Sequence, residues 1–572
     1  MKKLLVLCLL LVFVLTSCGK NTQDKTQDKV NNSSVSDNSS VQSETENLGD
    51  ESNTQSDAQD STESFDETLQ DSFEDGNTED YTEDFYFDSE ESFGDSFGEL
   101  NVETNVIKPV ITQIRPADNS ADILNPEIVK NAGANKQANA MRKSVLESKD
   151  SITVSGTTYY VSQNGDDLND GKSPKTPFAT LNTAFGMAKE GDAVLIERGS
   201  IYRLVNTITL ENGVSYGAYG TGPKPEIWGS IENYADSSRW SPYTIRNVWT
   251  ISFIGSDVGM IVFNHGELAG NMEYYVRNLK KNGDYFFDDV QKILYVYCDK
   301  GNPGKVYDDI EIGSAKILFR LRNGAQNVTI DNISFRYTGT FGIHGSMGCK
   351  NINISNCVVG WVGGSLFQDG SNRYGNGIEF TGGCENLTVE NCWIYQIYDA
   401  GFTFQITIPD STIEERTYKN IKVKNNLIEY CSWAFEWWPS EGDCVIEDIS
   451  VEGNIMRFSG YGWAWDTRIP SHVRGSWSAK DFEIKNFMIS KNIFDCSNGP
   501  IYAWALYEEG QFANSFLANK YYQRKPESEK LNVFEFEFTE NTSGKYEAKN
   551  QAQLNKVIKN VDSKATLIKW LD

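Results

Sequence analysis

Lysine and arginine are missing altogether from residues 30–107, a stretch that holds 23 Asp and Glu residues. It supplies 23 of the 28 net negative charges, so the acidity belongs to one segment and says little about what the rest of the chain binds. Basic stripes are missing too, and without any recognisable nucleic-acid module this excludes a nucleic-acid partner. Histidine occurs only at His265, His344 and His472, and no CxxC pair exists, which argues against a zinc site. The apolar run from Leu4 to Leu15 is too short to cross a bilayer and reads as a secretory signal core behind Lys2 and Lys3. Leucine-rich motifs and helical periods are also lacking, which excludes leucine-rich and armadillo-type solenoids.

What is present is a phrase repeated six times: NVTIDNISF from Asn327, NINISNCVV from Asn351, NLTVENCWI from Asn386, NIKVKNNLI from Asn420, DISVEGNIM from Asp448 and NFMISKNIF from Asn486. The starts are 24, 35, 34, 28 and 38 residues apart, too close for autonomous domains and suited to the coils of a solenoid. Each copy alternates apolar and polar residues, turns at an Asn or Gly, and resumes with a second apolar pair. Strand, tight turn, strand predicts an all-β, right-handed parallel β-helix, with a short-stranded β-sandwich as the competitor. The expected organisation is a signal over residues 1–18, a disordered acidic spacer over 19–107, an entry and capping segment over 108–151, and the solenoid over 152–572, its clearest coils at 327–505. The spacer is too polar to fold and should hold the solenoid away from its anchor, although its sparse aromatics could form a partner motif. Helices are predicted at 126–147 and 551–568, and a loop-rich insertion at about 233–306.

Two resemblances add to this. Leu15-Thr16-Ser17-Cys18 resembles the lipobox of bacterial lipoproteins, which implies cleavage before Cys18, lipidation of its sulfur and a place on the outer face of the cell membrane; an ordinary signal would release the protein instead. Residues 159–202 resemble the entry of pectate-lyase-like parallel β-helix proteins through Pro177, Phe178, Thr180, Leu181, Ala184, Ala188, Gly191, Asp192, Val194, Gly199 and Tyr202. That resemblance implies the fold and, as a class only, carbohydrate-active function. Thr180 should open a helix whose apolar face (Leu181, Phe185, Met187, Ala188) plugs the first coil.

Alternation in the strand after each phrase nominates outward side chains: His344, Glu379, Thr403 with Gln405, Glu436 with Trp438, Asp466 with Arg468, and Tyr502 with Trp504. Coils stack about 4.8 Å apart, so these form one column along a groove. Glu436 and Asp466 on adjacent coils would stand about 5 Å apart, the spacing of a retaining glycosidase; Glu379 and Glu436, two coils apart, suit an inverting one. A lyase would instead draw on Arg373, Arg468, His472 and Arg474 to neutralise a uronate. Trp438, Trp463, Trp477 and Tyr374 could stack on sugar faces, while Trp437, Trp463 and Trp465 could equally face inward. Outward acids could also be simple ion pairs with Arg457, Arg468 or Arg474. No cofactor is evident, and calcium finds no dense Asp cluster. Cys357 and Cys392 share an inward register and should stack rather than bridge. The expected protein is monomeric and binds, and cleaves by hydrolysis or elimination, a polysaccharide; a noncatalytic glycan-binding protein or adhesin would use the same groove.

Overall fold

The computed structural model describes residues 126–366, 372–406, 417–439, 444–464, 468–475, 482–505, 515–524, 531–538 and 542–571. Among these, three sheets of ten strands each run the length of the molecule, and the chain visits them in turn. One full coil is Cys384–Glu390 in the first sheet, Trp393–Ile397 in the second and Ala400–Ile406 in the third. The next coil, Thr417–Lys424, Leu427–Glu429 and Trp433–Pro439, pairs with it in parallel on all three faces. Parallel strands joined by crossovers take the right-handed route, so the fold is a right-handed parallel β-helix. Only the final ladder of the third sheet is antiparallel, between Leu531–Phe538 and Thr542–Ala548.

The repeated phrase is legible because two of the three corners demand left-handed backbone. Asn327, Asn351, Asn386, Asn420, Asp448 and Asn486 open the six phrases with φ between 52° and 58°. Their amides also form a ladder: Asn351 donates to Asn327, Asn386 to Asn351 and Asn420 to Asn386 over 2.7–2.9 Å. The turn after each strand repeats the requirement at Asn332, Asn356, Asn391, Asn425, Gly453 and Lys491. The third corner uses Tyr337, Trp361, Gln396, Tyr430, Phe458 and Cys496 at positive φ. Bulky residues carry no intrinsic preference for that region, and all six are fully buried, so packing holds them there.

Apolar side chains from all three sheets fill the interior. Cys357 and Cys392 stack in it as free thiols, with the Cys357 amide against the Cys392 sulfur at 3.4 Å. The same position then becomes Asn426, Asn454, Asn492 and Asn519, whose side chains satisfy one another and finally Asp562. Asn454 accepts from the Asn426 amide at 2.9 Å and donates to the Val423 carbonyl at 2.8 Å. Asn454→Ala strands several of these buried groups and should cost about 1–3 kcal/mol, read as a lowered denaturation midpoint with an unchanged slope.

The first coil is plugged by the helix Leu181–Met187, with the Thr180 side chain capping it. Phe185 stacks on Tyr216 at 4.7 Å and meets Phe319 at 5.5 Å. Met187, expected on the plugging face, is instead 48 % exposed, because the helix ends there. At the other end Gln551–Val561 buries Leu554, Val557, Ile558 and Val561, and Leu567–Leu571 replaces the rest of the helix predicted to 568. The helix predicted over 126–147 forms in two pieces, Pro126–Lys130 and Asn135–Leu146. They lie along the outer face of the second sheet against Trp393, Tyr395, Leu427 and Tyr430. Gly133 breaks them, since a Cβ there would sit 2.0 Å from the Tyr522 ring.

The insertion is more ordered than its composition suggests: Ser241–Ser314 contributes two small sheets around Tyr234, Trp240, Ile261 and Phe263. Its strand Val258–Phe263 lies beside Ser334–Thr338 of the second sheet and beside Ser365–Leu366. No helix among the described residues is long and apolar enough to cross a membrane.

Candidate active site

The outer face of the third sheet carries a register column that runs Thr209, Arg320, His344, Glu379, Thr403, Glu436, Arg474 and Ala503. Glu379 and Glu436 therefore stand two strands apart with Thr403 between them, as alternation predicted. Two strand spacings put their backbones about 9–10 Å apart. Glu379 is 6 % exposed and accepts from Asn376 at 2.5 Å and Thr381 at 2.8 Å. Glu436 is 3 % exposed and accepts from Thr403 and Gln405, each at 2.9 Å.

Burial raises the Glu379 carboxyl to about 7 against the opposing pull of its Asn376 and Thr381 bonds. Burial, reinforced by the neighbouring Asp399 carboxylate, raises Glu436 to about 8; the Thr403 bond and Arg474 oppose this. Two carboxyls that hold protons near neutrality can serve as acid and base. His344 lies over the Phe341 ring at 5.0 Å, with Nε2 4.0 Å from Glu379 and 3.4 Å from Thr381. Burial, then the Arg320 charge, lowers it to about 4, so it meets a ligand as the neutral imidazole.

Three expectations change. Asp466 does not follow Glu436 in the column, because the next strand is Ser471–Arg474 and Arg474 takes that position. Asp466, like Trp465 and Trp477, lies outside the described residues. Tyr502 points inward, fully buried against Phe516 at 4.0 Å and Phe534 at 5.4 Å, since Ala503 holds the outward position. His472 is also fully buried, bonded to Ser459 at 2.9 Å and packed against Phe494, and burial lowers it to about 3. Trp504 pairs with Phe536 across the third sheet, and its side chain is not among those described.

The other nominated residues stay near the column. Gln405 and half-buried Trp438 occupy the adjacent outward positions. Trp437 faces inward against Phe487 at 5.6 Å. The Arg474 guanidinium lies over the Trp433 ring at 5.5 Å. Arg468 binds Asp399 at 2.8 Å and Arg373 binds Asp257 at 3.2 Å. Trp463 packs on Tyr398 at 5.4 Å, and Arg457 lies on the second sheet with Glu429 and Asp495. Asp399, Asn376, Thr381 and Arg320 escaped the sequence reading. The signal for Asp399 was an acid set in the otherwise apolar IYDAGFTF, one residue before a strand that should be buried. Among the described residues no group of three or more His, Cys, Asp or Glu side chains is arranged to hold a metal ion.

The architecture and its acid column define a right-handed parallel β-helix protein with a candidate acid–base pair on one face. Solved structures to which the chain is similar include a glycoside hydrolase (10% identity, 67% of this chain and 95% of that one, TM-score 0.41). A rhamnogalacturonan lyase shares 12% identity over 64% of this chain and 74% of that one, at a TM-score of 0.36. The family 28 exopolygalacturonase of Yersinia enterocolitica shares 14% over 69% and 77%, at 0.31. No protein-family model matches the chain, and no curated protein matches it.

Proposed function

We propose that the chain is a glycoside hydrolase acting on a polysaccharide laid along the column of the third sheet. The observation that carries this is the Glu379–Glu436 pair: same face, two strands apart, both desolvated and both hydrogen-bonded. Inverting enzymes separate their carboxyls by about 6.5–9.5 Å to admit a water, and this pair suits that spacing. Glu436, the more strongly raised, protonates the leaving oxygen; Glu379, titrating near 7, activates the water. The inverting reading is favoured over the retaining one by Arg474, which pairs with Glu436 at the place expected for Asp466. Gln405 and Trp438 would hold sugar rings beside the pair, and the reaction invokes no cofactor.

The test is the full chain incubated with a polysaccharide panel, read for new reducing ends and for the anomer first formed. Inverted product supports the proposal; saturable binding without new ends would make the chain a noncatalytic glycan binder. Ultraviolet-absorbing unsaturated product would point to a lyase, a reading favoured by Arg474 beside Glu436.

The protein is further proposed to work at the cell surface, held by a lipid on Cys18 and spaced from the membrane by residues 19–107. The support is Leu15-Thr16-Ser17-Cys18 and the uniformly acidic stretch that follows. Cys18→Ser should abolish incorporation of a labelled fatty acid and move the protein from the membrane to the soluble fraction. Unchanged labelling would rule the anchor out.

A further inference from the structure

A polar chain runs from the insertion to the acid column. Asp257, in left-handed backbone at φ 56°, accepts from the Leu366 amide at 2.7 Å and from Arg373 at 3.2 and 3.4 Å. Arg373 also donates to the Gly364 carbonyl at 2.6 Å, and its own carbonyl accepts from Arg468. Arg468 passes over the Tyr398 ring at 5.7 Å and reaches Asp399 at 2.8 Å. Asp399, 5 % exposed, accepts as well from the Gly375 amide at 3.2 Å, while Asn376, next in sequence to that glycine, bonds Glu379.

We propose that Asp257, Arg373 and Arg468 are positioning residues through which the insertion holds the Asp399 carboxylate, in charged form, beside the Glu379–Glu436 pair. This rests on the hydrolase reading for its purpose but not for its test. Burial raises the Asp399 carboxyl above its usual value, and Arg468 with the Gly375 amide opposes this; a buried carboxylate stays ionised only when paired and hydrogen-bonded in this way. Its charge then disfavours ionisation of the nearest acid. The charged groups bearing on Glu436 are Asp399 and Glu379, which favour its proton, and Arg474 and Arg468, which oppose it. The insertion thereby determines how firmly the proposed acid keeps its proton.

The experiment follows Glu436 itself in the full chain without substrate, as the pH-dependent carboxyl infrared band that disappears in Glu436→Gln. Asp399→Asn should lower its midpoint by roughly one pH unit or more. Arg373→Met removes the guanidinium that ties this backbone, and with it the carbonyl holding Arg468, to Asp257 and Gly364. With Arg468 released Asp399 should take up a proton and the midpoint should move in the same direction, and Arg373→Lys should restore part of the shift. A purely structural role would lower the melting temperature and leave the midpoint in place. An unmoved or raised midpoint in Asp399→Asn overturns the proposal; a shift in Asp399→Asn with none in Arg373→Met overturns the relay. Failure to cleave any glycan with the titration shifts intact would sink the hydrolase reading alone.

Discussion

Glu436→Gln should lower kcat by about 10²–10⁴-fold, the usual contribution of a general acid, and should make the protein more stable at pH 8. Both effects have one cause. The amide cannot give up a proton, yet its oxygen can still accept from Thr403 and Gln405 as the carboxylate does. Glu436 is raised from 4.5 to about 8 in the folded protein. A raised group contributes stability that is fully present below its unfolded value and lost as pH rises through its folded one, so wild type weakens between pH 4.5 and about 8. Glutamine does not ionise, and the variant should gain on the order of 1–3 kcal/mol over wild type at pH 8 but not at pH 4. Urea denaturation at the two pH values, alongside turnover on the true substrate, checks both halves. Full activity would remove Glu436 from the mechanism; equal stability at both pH values would mean that its carboxyl is not desolvated. His344 and His472 act oppositely on the acid side: lowered to about 4 and 3, they cost stability as pH falls below about 6.5. The fold should therefore be most stable in mildly acidic solution.

The largest structural loss is expected from Glu429→Ala. Glu429 is fully buried on the outer face of the second sheet, where it accepts from Arg142 at 2.7 Å and Trp393 at 2.8 Å and faces Arg457 at 3.8 Å. Arg142 belongs to the helix Asn135–Leu146, and its guanidinium also lies over Trp393 at 4.8 Å. Removing the carboxylate leaves two buried cations without this acceptor, a defect of about 3–5 kcal/mol. The helix is further held where the Gly133 and Ala134 amides meet Asp495 at 2.9 and 3.0 Å and where Arg457 bonds Asn135 at 2.5 Å. Glu429→Ala should therefore expose residues 126–147 to protease before the coils melt. Cooperative loss of helix and coils together would show that this segment is part of the solenoid's folding unit rather than a strap laid over it.

Much of the fold was legible because each coil restates it. Alternation marks the buried face, and Asn at the phrase start and turn marks two left-handed corners. The third corner was silent, since tyrosine, tryptophan and phenylalanine announce no such backbone. Glu379 and Glu436 were legible for the same reason, each lying one residue from an inward aromatic, Phe380 and Phe435. Arg474, Tyr502 and His472 were not. Reading GWAWDTR as the strand after Glu436 assumed a short corner, whereas the chain travels on to Ser471 before it rejoins the sheet. A one-residue error of register turns every side chain to the other face, which is how Tyr502 rather than Ala503 was assigned outward.

By itself, then, the sequence determined the solenoid, its two marked corners and the two glutamates that share a face, because those follow from a period repeated coil after coil. The tertiary structure alone decided that Arg474 follows Glu436, that the insertion comes within reach of Arg373, and that Asp399 sits among the acids. Corner lengths and long-range pairing are not periodic, and only the closed coils bring such residues together.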